Sequence, residues 1–142
     1  MVNEKKRVLF VCTHNSARSQ MAEGWLRHMA GDRFEAHSAG TEATEVRPFA
    51  IAAMAEVGID ISGAESKTLD RYLAGPWDYV VTVCDQAAES CPVFSGMAER
   101  LHWSLPDPSK ATGSEEDQLS VYRATRDRIR SNIEELTSHP PR

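Results

Sequence analysis

Apolar and polar positions alternate between two rhythms along this chain. Val8-Leu9-Phe10-Val11 is an unbroken apolar run and predicts a buried strand over Arg7–Val11. Met21, Ala22, Trp25, Leu26 and Met29 then recur at helical spacing, with Gly31 as the stop. A second short strand is expected over Phe34–Ser38, running into Ala39-Gly40. Pro48 suits the first turn of a helix that carries Ile51, Met54 and Ala55 to Gly58. Ser66 or Thr68 is placed to cap a short helix through Leu73, closed by Gly75-Pro76. Tyr79-Val80-Val81-Thr82-Val83 is β-branched and reads as a central strand, and Leu101–Leu105 as the fourth. Ser114-Glu115-Glu116-Asp117 resembles a capping box, after which Leu119, Tyr122, Ile129, Ile133 and Leu136 mark the core face of a last helix.

Helices alternating with strands imply a parallel sheet covered on both faces. The expected fold class is α/β: a three-layer αβα domain on a central four-stranded parallel sheet. No repeat, low-complexity tract or linker divides the chain, so residues 1–142 are expected to form a single domain. Hydrophobic residues at 41% and charged residues at 26% are ordinary for a soluble globular protein. A net charge of -5 without a basic run argues against nucleic-acid binding. No stretch has the length of a transmembrane helix, and the apolar run after the charged start is too short for a signal peptide. The expectation is a cytoplasmic, monomeric protein in which three cysteines are redox-active or catalytic rather than structural.

The chemistry concentrates in Cys12-Thr13-His14-Asn15-Ser16-Ala17-Arg18-Ser19, between the first strand and the first helix. A loop of small polar residues in that position turns backbone amides toward a tetrahedral oxyanion. Arg18 adds a planar fork matched to two of its oxygens. The same positive field is expected to lower the Cys12 pKa and make it a thiolate nucleophile. Phosphate, arsenate and sulfate are the anions of that shape. Asn15 is expected in a left-handed conformation, which asparagine tolerates. Ser19 is placed to donate to Cys12, Ser16 to cap the helix, and His14 to face solvent as a loop residue.

Ligands gather at the carboxyl ends of parallel strands. Cys84 follows the Tyr79–Val83 strand, so it meets Cys12 if the two strands are neighbours. Cys91 comes seven residues later, before Pro92. Two readings stand: a disulfide relay with Cys12, or two reduced bystanders, since the spacing matches no redox or zinc motif. Asp107, in Leu105-Pro106-Asp107-Pro108, is either a general acid at the same sheet edge or a plain turn residue. The remaining histidines, His28, His37, His102 and His139, form no metal set, so no metal site is expected. Trp25, Trp77 and Trp103 read as packing.

Taken together, Val-Leu-Phe-Val-Cys-Thr-His-Asn-Ser-Ala-Arg-Ser at 8–19, Met-Ala-Glu-Gly at 21–24, Ser-Ala-Gly-Thr at 38–41, Val-Val-Thr-Val-Cys-Asp at 80–85, Cys-Pro at 91–92, His-Trp at 102–103 and Asp-Pro at 107–108 resemble a known family. It is the thioredoxin-coupled arsenate reductases built on the low-molecular-weight protein tyrosine phosphatase fold. The resemblance runs from Val8 to about Leu136. It implies that Cys12 forms a covalent adduct with arsenate while Asp107 helps water leave. It further implies a Cys12–Cys84 disulfide on release of arsenite, then a Cys84–Cys91 disulfide that thioredoxin reduces. Phosphate and sulfate would compete with arsenate. Some family members hold potassium beside the loop through an asparagine, a glutamate, a serine and an aspartate. Asn15, Glu23 and Ser38 match the first three, and Lys67 stands at the fourth. A lysine there implies weak or absent potassium dependence, with its ammonium in the cation's place and orienting Asn15. No other cofactor is expected.

A phosphomonoesterase sharing Cys12, Arg18 and Asp107 is the alternative. Against it, Pro108 is followed by Ser109-Lys110-Ala111-Thr112-Gly113, without the aromatic wall typical of those phosphatases. A non-catalytic redox sensor would need no acid at Asp107, and a small-thiol or glutaredoxin reductant would make Cys91 redundant.

Overall fold

The structure, a computed structural model, describes residues 5–42, 44–84 and 97–138. Its centre is a four-stranded sheet in the order β2-β1-β3-β4. The strands are β1 (Lys6–Cys12), β2 (Phe34–Gly40), β3 (Trp77–Thr82) and β4 (Met97–His102). All three pairings are parallel, with Val8 opposite both Ala36 and Tyr79, and Thr82 opposite His102. Among the described residues three α-helices accompany them: α1 (Arg18–Ala30), α2 (Pro48–Ala55) and α3 (Glu115–Ser138). This is the αβα architecture that the alternation of patterns implies.

The apolar run of β1 is fully buried because it is central, flanked by strands on both edges. Burying side chains such as Leu9, Phe10, Met21 and Leu26 stabilises the fold by about 1.5–3 kcal/mol each. Pro48 stands at the start of α2, where its missing N–H costs nothing. Ser114 and Asp117 form a reciprocal capping box: the Asp117 amide donates to Ser114 Oγ at 3.1 Å and the Ser114 amide to Asp117 Oδ2 at 3.2 Å.

The largest departures from the sequence pattern lie in the fourth strand, the third strand and the short helix before it. The fourth strand lies at Met97–His102 rather than Leu101–Leu105. It is an edge strand whose Ala-Glu-Arg stretch carries no apolar run to betray it. Trp103 lies just beyond it, donating its amide to Thr82 at 2.8 Å and packing its ring 5.7 Å from Phe10. The third strand begins at Trp77, and the short helix expected up to Leu73 is a 3-10 turn over Leu69–Tyr72, with Thr68 before it making no side-chain cap. Among the described residues, no helix is long and apolar enough to cross a membrane.

Candidate active site

The sheet order has its switch between β1 and β3, and both strands point their carboxyl ends at the same crevice. Cys12 is the last residue of β1. The amide of Val83 donates to the Val11 carbonyl at 2.9 Å, which carries the pairing past the end of β3 and sets Cys84 beside Cys12. The two thiols are buried and hydrogen-bonded to each other. Thr13 Oγ1 lies 3.3 Å from Cys84 Sγ.

The loop from Cys12 to Ala17 is shaped by what holds its carbonyls. Cys12 O accepts from the Thr41 amide at 3.2 Å, Thr13 O from the Glu42 amide at 2.9 Å, and Ser16 O from the Arg47 amide at 2.8 Å. His14 O accepts from Ser66 Oγ at 2.9 Å and Asn15 O from Gln20 Nε2 at 3.2 Å. In a trans peptide the next amide points opposite to the carbonyl. Carbonyls drawn outward to five partners therefore turn the loop's amides inward, and the Thr13 amide already bonds the Cys12 sulfur.

Asn15 has φ 51, the left-handed conformation expected of it. Its side-chain oxygen accepts from the Lys67 amide at 2.8 Å and from Gln20 Nε2 at 2.9 Å, while its Nδ2 donates to Ser19 Oγ at 2.8 Å. Ser19 is thus engaged as an acceptor, with its own proton left to donate. Ser16 does not cap α1: Ala17 occupies the cap position, without a side-chain bond. His14 is half-exposed, 3.2 Å from Glu42.

Arg18 opens α1, buried, and donates to the Leu105 carbonyl at 2.8 Å. Its other terminal nitrogen is 3.8 Å from Asp107 Oδ2. Asp107 Oδ1 is occupied by the Ser109 amide and hydroxyl, at 2.9 and 2.7 Å. Burial raises the Asp107 pKa, but the two Ser109 bonds, Arg18 and Lys110 outweigh it and hold the carboxyl below the ordinary range. Thr13, Arg18, Cys84, Asp107 and Lys110 share one cavity of about 330 Å³.

The expected Cys12 thiolate needs correction. Its pKa is raised, first by the hydrogen bond with Cys84 and then by burial, against the lowering effects of Arg18 and the Thr13 amide. Two thiols in contact do not both ionise readily, and sequence reasoning weighed the anion loop without the second sulfur.

Beside the loop, Ser38 Oγ donates to Glu23 Oε1 at 2.6 Å. Lys67 Nζ donates to the Glu65 carbonyl at 2.7 Å and lies 3.9 Å from Glu23 Oε1. The expectation that the Lys67 ammonium orients Asn15 also needs correction, because the main-chain amide of Lys67 and the side chain of Gln20 do so. Burial lowers the Lys67 pKa, opposed by Glu23 and Glu65.

The sequence reading missed Gln20 and Gly40. A methyl group on Gly40 would lie 2.7 Å from the Asn15 amide and from the Thr13 and Glu42 carbonyls. Only glycine lets β2 approach the loop this closely, and the Ser-Ala-Gly-Thr match was the available signal. Cys91 lies outside the described residues.

The family model described as low molecular weight phosphotyrosine protein phosphatase matches residues 7–139. An arsenate reductase of Halalkalibacterium halodurans is 48% identical over 129 residues, which cover 91% of this chain and 93% of that one. A solved arsenate reductase in the phosphate binding state superimposes with a TM-score of 0.82 at 35% identity, covering 94% of this chain and 97% of that one. A Corynebacterium glutamicum thioredoxin-dependent arsenate reductase gives a TM-score of 0.68 at 28% identity, covering 97% of this chain and 65% of that one.

Proposed function

This chain belongs to the low-molecular-weight phosphotyrosine protein phosphatase family, among its arsenate reductases, and on that premise we propose that it reduces arsenate to arsenite through a thiol relay. The observation that carries the reading is the contact between two buried thiols at an anion loop. A phosphatase needs one sulfur there, and the second has work only if a disulfide forms.

Arsenate enters with its oxygens on the inward amides and the Arg18 fork. Cys12 passes its proton to an oxygen of the bound dianion and its sulfur attacks arsenic, forming an S–As bond as one oxygen departs as water. Asp107 supplies a proton to that oxygen through Oδ2, the carboxylate oxygen facing Arg18 rather than Ser109. A bound dianion repels the Asp107 carboxylate and favours its protonated form. Cys84 then attacks the Cys12 sulfur. The S–S bond forms, the S–As bond breaks with its electron pair left on arsenic, and arsenite leaves. Cys91 attacks Cys84, releasing the Cys12 thiol and forming Cys84–Cys91, which the dithiol of thioredoxin reduces by exchange. Each arsenate reduced consumes one dithiol.

No potassium is required on this reading. The Lys67 ammonium, 3.9 Å from Glu23, supports it by supplying a positive charge against the carboxylate that a cation would otherwise neutralise.

The test is arsenate-dependent NADPH oxidation with thioredoxin and thioredoxin reductase, in wild type and in Cys12→Ser, Cys84→Ser and Cys91→Ser. Turnover in wild type and loss in all three variants is expected. Survival of Cys91→Ser would move the reductant onto Cys12–Cys84. Hydrolysis of a phosphomonoester without any arsenate turnover would overturn the reductase reading.

A further inference from the structure

We propose that Lys110 is a specificity-determining residue of the Cys12 site, the charge that makes its mouth select a doubly charged oxyanion; this rests on the oxyanion reading above. Lys110 shares the cavity with the charges of Arg18 and Asp107. Arg18 is the only cation in the loop, and Asp107 stands 3.8 Å from it. An ionised Asp107 cancels most of the field of Arg18 beyond the loop itself. His14 is turned to Glu42. Among the described lining residues, Lys110 is the remaining formal charge, and it acts on Asp107 alongside Arg18. Without it the described lining has a cation and an anion in balance, in a chain whose net charge is -5. The second charge of a hydrogenarsenate or hydrogenphosphate dianion would then meet nothing but the loop dipoles.

Position gives Lys110 this role more than exposure does. It ends the 3-10 turn Pro108–Lys110, and its amide donates to the Asp107 carbonyl at 3.3 Å. Pro108 is the buried residue of that turn. Acid and cation therefore ride on one short turn, facing one cavity. A lysine acts on a phosphate-like group as a mobile point charge and does not need the fixed fork geometry of arginine. An ammonium at the rim attracts the incoming dianion and stays with its outer oxygens once it is bound. The bland alternative is a solvated surface lysine that happens to border the cavity. The two differ in whether charge at this position controls anion affinity.

The experiment compares wild type, Lys110→Gln and Lys110→Arg as full chains. One readout is binding: protection of Cys12 from iodoacetamide by inorganic phosphate, titrated at low and high salt. The other is arsenate KM and kcat in the thioredoxin-coupled assay. Lys110→Gln should raise both the half-protecting phosphate concentration and the arsenate KM about tenfold, the equivalent of about 1.4 kcal/mol. It should change kcat less than KM and flatten the salt dependence of protection. Lys110→Arg should restore affinity, which a purely structural role of the turn would not predict. Equal protection in wild type and Lys110→Gln, or Lys110→Arg no better than Lys110→Gln, overturns the proposal. Phosphate protection that depends on Lys110 in a protein without arsenate turnover would sink the reductase reading alone. No protection of wild type by phosphate would sink both.

Discussion

Gln20 holds Asn15 by both of its oxygens, donating from Nε2 to the main-chain carbonyl at 3.2 Å and to Oδ1 at 2.9 Å. The same nitrogen donates to the Glu65 carbonyl at 2.8 Å, so one buried amide ties the anion loop to the segment that carries Lys67. Gln20→Leu removes these bonds and leaves buried carbonyls without them. The expected cost is about 1–3 kcal/mol of stability, read from the urea midpoint, with weaker phosphate inhibition of the remaining activity. An unchanged midpoint and unchanged inhibition would show that Asn15 keeps its left-handed turn without help.

Cys84 is the largest influence raising the Cys12 pKa. In Cys84→Ala the Arg18 charge and the Thr13 amide act without that opposition. The pH midpoint of Cys12 alkylation should therefore move down relative to wild type, although turnover is lost. A midpoint that stays where it is would place the cause in burial instead.

Asp107 is held ionised in the anion-free site, since its pKa lies below the ordinary carboxyl range despite burial. Its proton has to be acquired on forming the complex, so wild-type kcat should fall as pH rises. Asp107→Asn should lower kcat by about 10²–10⁴-fold and lose that alkaline limb. Anion affinity should hold or tighten, because Arg18 loses its competing carboxylate. Equal kcat in the two proteins would reduce Asp107 to a turn residue.

Lys67 should make the activity indifferent to replacing potassium by sodium at fixed ionic strength. Lys67→Asp sets a carboxylate near Glu23, Asn15 and Ser38. In that variant both the rate and the melting temperature should rise with potassium, as binding to the folded state alone requires. A wild-type rate that rises severalfold with potassium would refute this account.

Away from the site, Glu56 bridges Arg123 and Arg126 across α2 and α3, with oxygen–nitrogen distances of 2.7 and 2.9 Å. The Arg123 hydrogen bond is the first cause of a Glu56 pKa lowered from 4.5 to about 2. A lowered carboxyl contributes stability that is present above the unfolded value and lost as pH falls through the folded one. The melting-temperature gap between wild type and Glu56→Gln should be widest near neutrality and shrink between pH 4.5 and about 2. A gap independent of pH would assign the effect to packing.

Residues near one another in the chain were the legible part of this protein. The apolar run of β1, the polar loop after it and the helical spacing from Met21 to Met29 follow from local rules, so Cys12, Arg18 and the left-handed Asn15 could be read directly. The Ser114–Asp117 cap is likewise a four-residue pattern. What depended on the tertiary structure lies far apart in sequence. Cys84 reaches Cys12 because β3, and not another strand, pairs with β1. That pairing opposes the expected lowering of the Cys12 pKa, since protonation depends on the neighbour a sulfur meets and not on its own loop alone. The Lys67 amide, Gln20 and Gly40 build the loop through contacts that carry no periodic signal. The edge strand β4 escaped its expected limits for a related reason: with one side unpaired, it needs no apolar run, and its pairing with β3 defines it.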